Sequence, residues 1–139
     1  MLKKLKIYLD TSVISYLDQP ERLEKWEETK KFWSEIKLGK YDIYISDNVL
    51  KEIGNCSDEG KRDVLINYLS EIYYEDLEIT REVEELAQKY IDNNLIPEKY
   101  RDDAEHIATA TINNCDLVAS WNFTHMVKYI TIQGVNRNK

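Results

Sequence analysis

Three acids stand where chemistry would need them: Asp10, Glu52 and Asp103. Asp10 ends a short apolar run, Lys6-Ile7-Tyr8-Leu9. Glu52 lies in the first turns of the helix that follows a second run, Tyr41 to Ser46. Asp103 opens a helix carrying Ala104, Ile107, Ala108, Thr111 and Ile112. A neutral fourth group, Asn122, follows another run, Asp116 to Ser120. Short runs of β-formers buried on both faces belong to parallel sheets, and ligands of such sheets sit beyond the carboxyl ends of the strands. Three acids and an amide would then share one rim. Carboxylates that close raise one another's pKa and stay ionised only with positive charge between them. Mg²⁺ suits that role, since it binds one or two carboxylates, keeps several waters and takes phosphate oxygens as further ligands. Two such ions ~4 Å apart can clamp the attacking and leaving oxygens of a phosphodiester. Phosphodiester hydrolysis is the reaction these residues suit best.

Each residue also has a plainer use. Asp10 and Asp103 are good helix N-caps by type, and Glu52 alone reads as a solvated helix residue. His106, three residues after Asp103, reads as a partly buried helix residue. One Glu-x-x-His-like spacing does not make a di-iron site, which needs two such motifs on a helical bundle. Trp121 reads as core, although a base could stack on it, and His125 is a candidate for contact with a substrate phosphate. Asp116 begins the strand that Asn122 follows, about 13 Å away at ~3.3 Å per residue, so it belongs to the opposite rim. What favours a site is that the acids fall together at several strand ends.

The elements that must position them alternate along the chain. Ser12 to Leu17 reads as a short helix, and Glu21 to Leu38 as an amphipathic one with Leu23, Trp26, Trp33 and Ile36 on one face, ended by Gly39. Ser46-Asp47 is an N-cap pair before a helix over Asn48 to Gly54. Ser57 to Ile72 is a further helix, Tyr74 to Ile79 a third strand, and Thr80 caps a helix through Ile91 whose first turn holds Glu82, Glu84 and Glu85. Asp116 to Ser120 is a fourth strand and Tyr129 to Ile132 a fifth. Strands separated by helices predict an α/β fold, a three-layer α/β/α arrangement around a mostly parallel sheet of about five strands. No linker interrupts residues 1–139, which read as a single domain.

The balance of 19 basic against 26 acidic residues gives a net charge of −7. Nucleic acid held by charge alone calls for a basic protein, so any nucleic acid here must be held through metal ions or local basic patches. A basic protein partner is another use for the acidity. Cys56 and Cys115 lack metal or redox spacing and read as reduced thiols of a cytoplasmic protein. No apolar run approaches the ~18 residues of a membrane span, and the basic start runs straight into the first strand, unlike a signal peptide.

Four stretches together resemble a PIN domain: Tyr8-Leu9-Asp10-Thr11-Ser12, Ile45-Ser46 followed by Val49-Leu50-Lys51-Glu52-Ile53, Asp103-Ala104-Glu105-His106-Ile107-Ala108, and Ala119-Ser120-Trp121-Asn122-Phe123-Thr124-His125. Each motif alone is weak, while their order and spacing over nearly the whole chain are specific. The chain is most similar to the small stand-alone PIN proteins of prokaryotes, many of them VapC-like toxins. That resemblance implies a Mg²⁺- or Mn²⁺-dependent ribonuclease on a five-stranded parallel sheet, usually a homodimer, acting on RNA and inhibited by a cognate antitoxin protein. It implies Asp10, Glu52 and Asp103 as metal-binding acids, with Thr11 or Ser12 orienting Asp10 or a water. At the fourth position many relatives have Asp where this chain has Asn122. An amide oxygen ligates a hard cation without adding charge, so the resemblance leaves open one ion or two.

Two other readings remain. Asn122 and the acidic surface also fit a catalytically weak PIN-like binding module. A receiver-type phosphoacceptor gathers acids at strand ends too, but it normally has paired acids after the first strand and a late lysine. Here Asp10 stands alone, and only Lys128 precedes the last strand.

Overall fold

The computed structural model describes residues 3–122. Within them the chain runs β1 (Lys6–Leu9), α1 (Thr11–Tyr16), α2 (Leu23–Lys37), β2 (Asp42–Ser46), α3 (Asp47–Gly54), α4 (Glu59–Ser70), β3 (Glu75–Leu77), α5 (Arg81–Asp92), a 3-10 turn (Glu98–Tyr100), α6 (Arg101–Ile112) and β4 (Leu117–Ala119). The four strands form one sheet in the order β3-β2-β1-β4. Every pairing is parallel, with Tyr8 opposite both Tyr44 and Val118. Helices flank the sheet, the α/β arrangement that alternating strands and helices predict. The expected fifth strand, Tyr129 to Ile132, lies outside the described residues.

β1 is central, and the chain leaves it toward β2 on one side while β4 arrives on the other. That is a switch point, where the crevice beyond the strand ends opens. Two apolar clusters frame it. Ile7, Tyr8, Leu9, Ile43 and Ile45 join residues of α1 to α4 in one apolar cluster. Val83, Ala87 and Tyr90 of α5 join Ala104, Ile107 and Ala108 of α6 in a second, and Val118 of β4 packs against both. α6, which carries Asp103, is thereby fixed against the sheet.

Several boundaries differ from the sequence expectation, each for a local reason. The helix expected from Ser57 starts at Glu59 because the Asp58 carboxylate caps it, accepting from the Lys61 amide. β3 is shorter than Tyr74 to Ile79 because, among the described residues, it lies at the edge of the sheet and pairs only with β2. α6 begins at Arg101, directly after the 3-10 turn, so Asp103 is a first-turn residue and not the cap. There the helix dipole favours its negative charge. Asp10 and Thr80 do cap, accepting from the amides of Ser12 and Val83. Asp116 sits at the amino end of β4, where its Oδ2 accepts from the Lys6 amide at 2.9 Å. The opposite rim is therefore where it lies.

Of the expected pair Ser46-Asp47, Ser46 is the cap. Its buried Oγ accepts from the Val49 amide at 3.4 Å and bonds the Tyr8 hydroxyl at 2.8 Å. Ser46→Ala removes both, and the expected result is a loss of about 1–2 kcal/mol, read as a lower urea midpoint with an unchanged m-value.

Candidate functional site

Asp10 leaves β1 at its carboxyl end and is 2% exposed. Its Oδ1 accepts from the Ser12 amide at 2.9 Å and from the Ser12 hydroxyl at 2.5 Å, while Oδ2 accepts from the Ser120 hydroxyl at 2.7 Å. Ser120 follows β4 as Asp10 follows β1, and the two strand ends are tied further by the Asp10 amide donating to the Ala119 carbonyl. Every one of these donors is neutral. Among the described residues no lysine or arginine pairs with the buried carboxylate. Burying a charge is costly unless it is paired or coordinates a cation.

Glu52 approaches from α3, and its side chain is 39% exposed. Its Oε1 lies 3.2 Å from Nε2 of His106, and the other ring nitrogen lies 2.5 Å from the Tyr8 hydroxyl, which in turn bonds Ser46. A buried relay thus runs from the α3 cap through β1 and α6 to the acid. Burial pushes the Tyr8 phenol up, which keeps it neutral. With imidazole neutral, Nε2–H donates to Glu52 and the phenol donates to Nδ1. With imidazolium, Nδ1–H donates to the phenol oxygen, whose own proton turns to Ser46.

Charge around this relay is arranged against burial. Half-burial would raise the Glu52 carboxyl, but the His106 hydrogen bond, the nearby Thr11 hydroxyl and the His106 charge hold it below its usual 4.5. Deep burial would lower the His106 imidazole, yet the hydrogen bond and charge of Glu52, then the charges of Asp10 and Asp103, raise it above its usual 6.5. All three acids therefore lie within electrostatic reach of one buried ring. His106 was expected to be a partly buried helix residue; it is 3% exposed and the hub of the cluster. Thr11 Oγ1 is buried beside Glu52, near enough to favour its ionised form.

Asn122 is exposed, but its backbone N–H donates to Ser120 Oγ at 2.9 Å, one bond from Asp10. Trp121, expected in the core, is half-buried: its amide donates to Ser12 Oγ at 2.9 Å and its indole N–H to Thr29 Oγ1 at 2.9 Å. His125 lies outside the described residues. Ser120 and Tyr8 are the residues that type-based reasoning passed over. The first was legible as the counterpart of Asp10 at the neighbouring strand end. Tyr8 was not, because a tyrosine inside a strand looks like packing.

A buried carboxylate that no lysine or arginine pairs among the described residues suits Mg²⁺ or Mn²⁺, and the buried Thr11 hydroxyl is a further hard oxygen beside Glu52. Among the described residues, no three His, Cys, Asp or Glu side chains come close enough to hold one ion by themselves. Mg²⁺ does not require that, since one or two carboxylates with water and phosphate oxygens complete its shell. Among the described residues no helix is long and apolar enough to cross a membrane.

The PIN domain family model matches residues 7–122. No curated protein sequence matches the chain. Among solved structures, VapC20 of Mycobacterium tuberculosis, described as a sarcin-ricin loop cleaving toxin, superposes with a TM-score of 0.63 at 17% identity, covering 86% of this chain and 92% of that one. VapBC2 of Rickettsia felis, solved with a DNA fragment from its promoter, gives 0.57 at 18% identity over 89% and 95%. At such identities the likeness concerns the fold.

Proposed function

The chain belongs to the PIN domain family, and on that premise we propose that it is a divalent-metal-dependent endoribonuclease, the toxin of a toxin–antitoxin pair. The observation that carries the metal dependence is Asp10, a buried carboxylate with only neutral hydrogen-bond donors, which shares the neighbourhood of the His106 ring with the charges of Glu52 and Asp103. Asp10 would anchor Mg²⁺ or Mn²⁺ directly, while Glu52 and Asp103 would act on the ion through its waters, with Asn122 as a neutral helper. When bound, the cation supplies Lewis acidity at the scissile phosphodiester and lowers the pKa of water.

The chain's own residues prepare that site. Ser12 and Ser120 fix both oxygens of Asp10, so the carboxylate needs no rearrangement when substrate arrives. His106, braced by Tyr8, holds Glu52 ionised and turned toward Thr11. Thr11 offers its hydroxyl to a water or a phosphate oxygen. Hydrolysis adds water across one P–O bond and leaves a phosphomonoester and a free hydroxyl. A cognate antitoxin, a homodimeric assembly and a cytoplasmic setting accompany this reading, and the net charge of −7 suits a basic antitoxin surface.

A weakly catalytic binding module is favoured by one observation, the lack of three clustered ligands among the described residues. Family membership sets the receiver reading aside. The test is calorimetric titration with Mn²⁺ alongside cleavage of RNA with and without EDTA. Saturable binding below about 1 mM and cleavage that EDTA stops are expected. Neither binding nor cleavage at millimolar ion would replace the nuclease with the module.

A further inference from the structure

Beside the acid cluster lies a second arrangement that the nuclease chemistry does not use. Lys25 Nζ stands 5.6 Å from the Tyr16 ring centre and 5.5 Å from that of Trp121. The Arg22 guanidinium lies 5.7 Å from the same Tyr16 ring, and the two rings are themselves 5.5 Å apart. Two cations thus share two aromatic faces. Elsewhere in the described residues, the Lys6, Lys30 and Lys99 contacts each join a single cation to a single ring. Lys37, Arg62, Arg81 and Arg101 each pair with a glutamate. Arg22 and Lys25 are exposed and pair with no carboxylate among the described residues.

Their position matters as much as their charge. Tyr16 ends α1, the helix that starts directly after Asp10. Trp121 follows β4 on the rim of the site, and the Ser12 hydroxyl bonds both its amide and the Asp10 carboxylate. The indole is pinned from the other side by Thr29. Both rings are therefore fixed relative to Asp10, and the rings in turn hold the cations by attraction to their faces. A chain of net charge −7 repels a polyanion at long range, so a strand reaching these acids needs local cations at the entrance.

We infer that Arg22 and Lys25, seated on Tyr16 and Trp121, clamp the phosphate backbone of a single-stranded RNA next to the Asp10 site. This rests on the nuclease reading for its substrate, and it adds where the strand lies. Charged grooves interleaved with aromatic rings are how single strands are held without sequence preference. Arg22 and Lys25 act on binding and not on the reacting atoms.

The test uses the full chain in EDTA, with a short fluorescein-labelled oligouridylate titrated between ~50 and ~200 mM salt. Removing two phosphate contacts should make the slope of log K against log salt shallower by about 1.4, at ~0.7 per contact on a single strand. The double variant Arg22→Gln/Lys25→Gln should bind ~10-fold more weakly. With metal present its KM should rise by a similar factor at unchanged kcat, and Lys25→Arg alone, which keeps both cations, should stay close to wild type. Equal affinity and slope in the double variant would overturn the clamp, as would a loss confined to kcat. So would unchanged RNA binding in a variant that instead loses affinity for polyglutamate, which would assign the cations to an acidic protein. A wild-type chain that binds the oligonucleotide in a clamp-dependent way but never cleaves with metal would sink the nuclease reading alone. A wild type that cleaves with no effect of the double variant would sink the clamp alone.

Discussion

Asp10→Asn is expected to reduce metal-dependent RNA cleavage at least about a thousandfold, near 4 kcal/mol of transition-state stabilisation, while the thermal midpoint stays close to wild type. The two halves of that expectation come from different features of one side chain. Structurally Asp10 is an N-cap and an acceptor for three neutral donors. Asparagine caps as well as aspartate, keeps Oδ1 for Ser12, and turns an amide toward Ser120 Oγ, which can accept. Electrostatically the replacement deletes the negative charge at the carboxyl end of β1. A hard cation then loses its anchoring ligand, and the developing charge at phosphorus loses its counterpart. Measuring kcat with Mn²⁺, together with a melting curve in EDTA, separates the two. Retained activity with an intact fold would remove Asp10 from the chemistry. Lost activity with a collapsed fold would make it a structural residue.

How far the sequence revealed this site differs from residue to residue. The sheet and its rim were legible because β1 and β2 are short runs of β-formers that end in capping residues, and local propensity agreed with tertiary demand. Asp10 was legible for the same reason, since a strand end is a position the chain itself marks. Glu52 was legible only by analogy of spacing, because on α3 nothing local separates it from a solvated glutamate. Asp103 was placed on the correct helix but at its opening, where its plainer reading was a cap. The 3-10 turn after Pro97 starts α6 at Arg101, and such turns leave little trace in periodicity. His106 was misjudged because its partners are remote: Tyr8 lies 98 residues away and Glu52 lies 54. No local pattern encodes a contact made by sheet order. The Arg22–Lys25 cluster was hidden likewise, its second ring arriving from the far end of the fold.

That remote network sets up the largest stability effect expected outside the apolar clusters. His106→Ala should lower folding stability by about 3 kcal/mol, from the cavity left by a fully packed ring and the lost bonds to Tyr8 and Glu52. It should also change how stability follows pH in metal-free protein. Glu52 titrates below its usual 4.5 in the fold, so its contribution is present above about pH 4.5 and fades as pH falls through the depressed value. His106 titrates above its usual 6.5, so its contribution is complete below about pH 6.5 and is lost as pH rises through the raised value. Between those limits both act, and the wild-type thermal midpoint in EDTA should peak there and decline on the alkaline side. In His106→Ala the histidine's share of that alkaline decline disappears, because the group that releases the proton is gone. Identical slopes above pH ~6.5 in both proteins would mean the ring does not carry the linkage, and the relay from Ser46 through Tyr8 to Glu52 would then be packing alone.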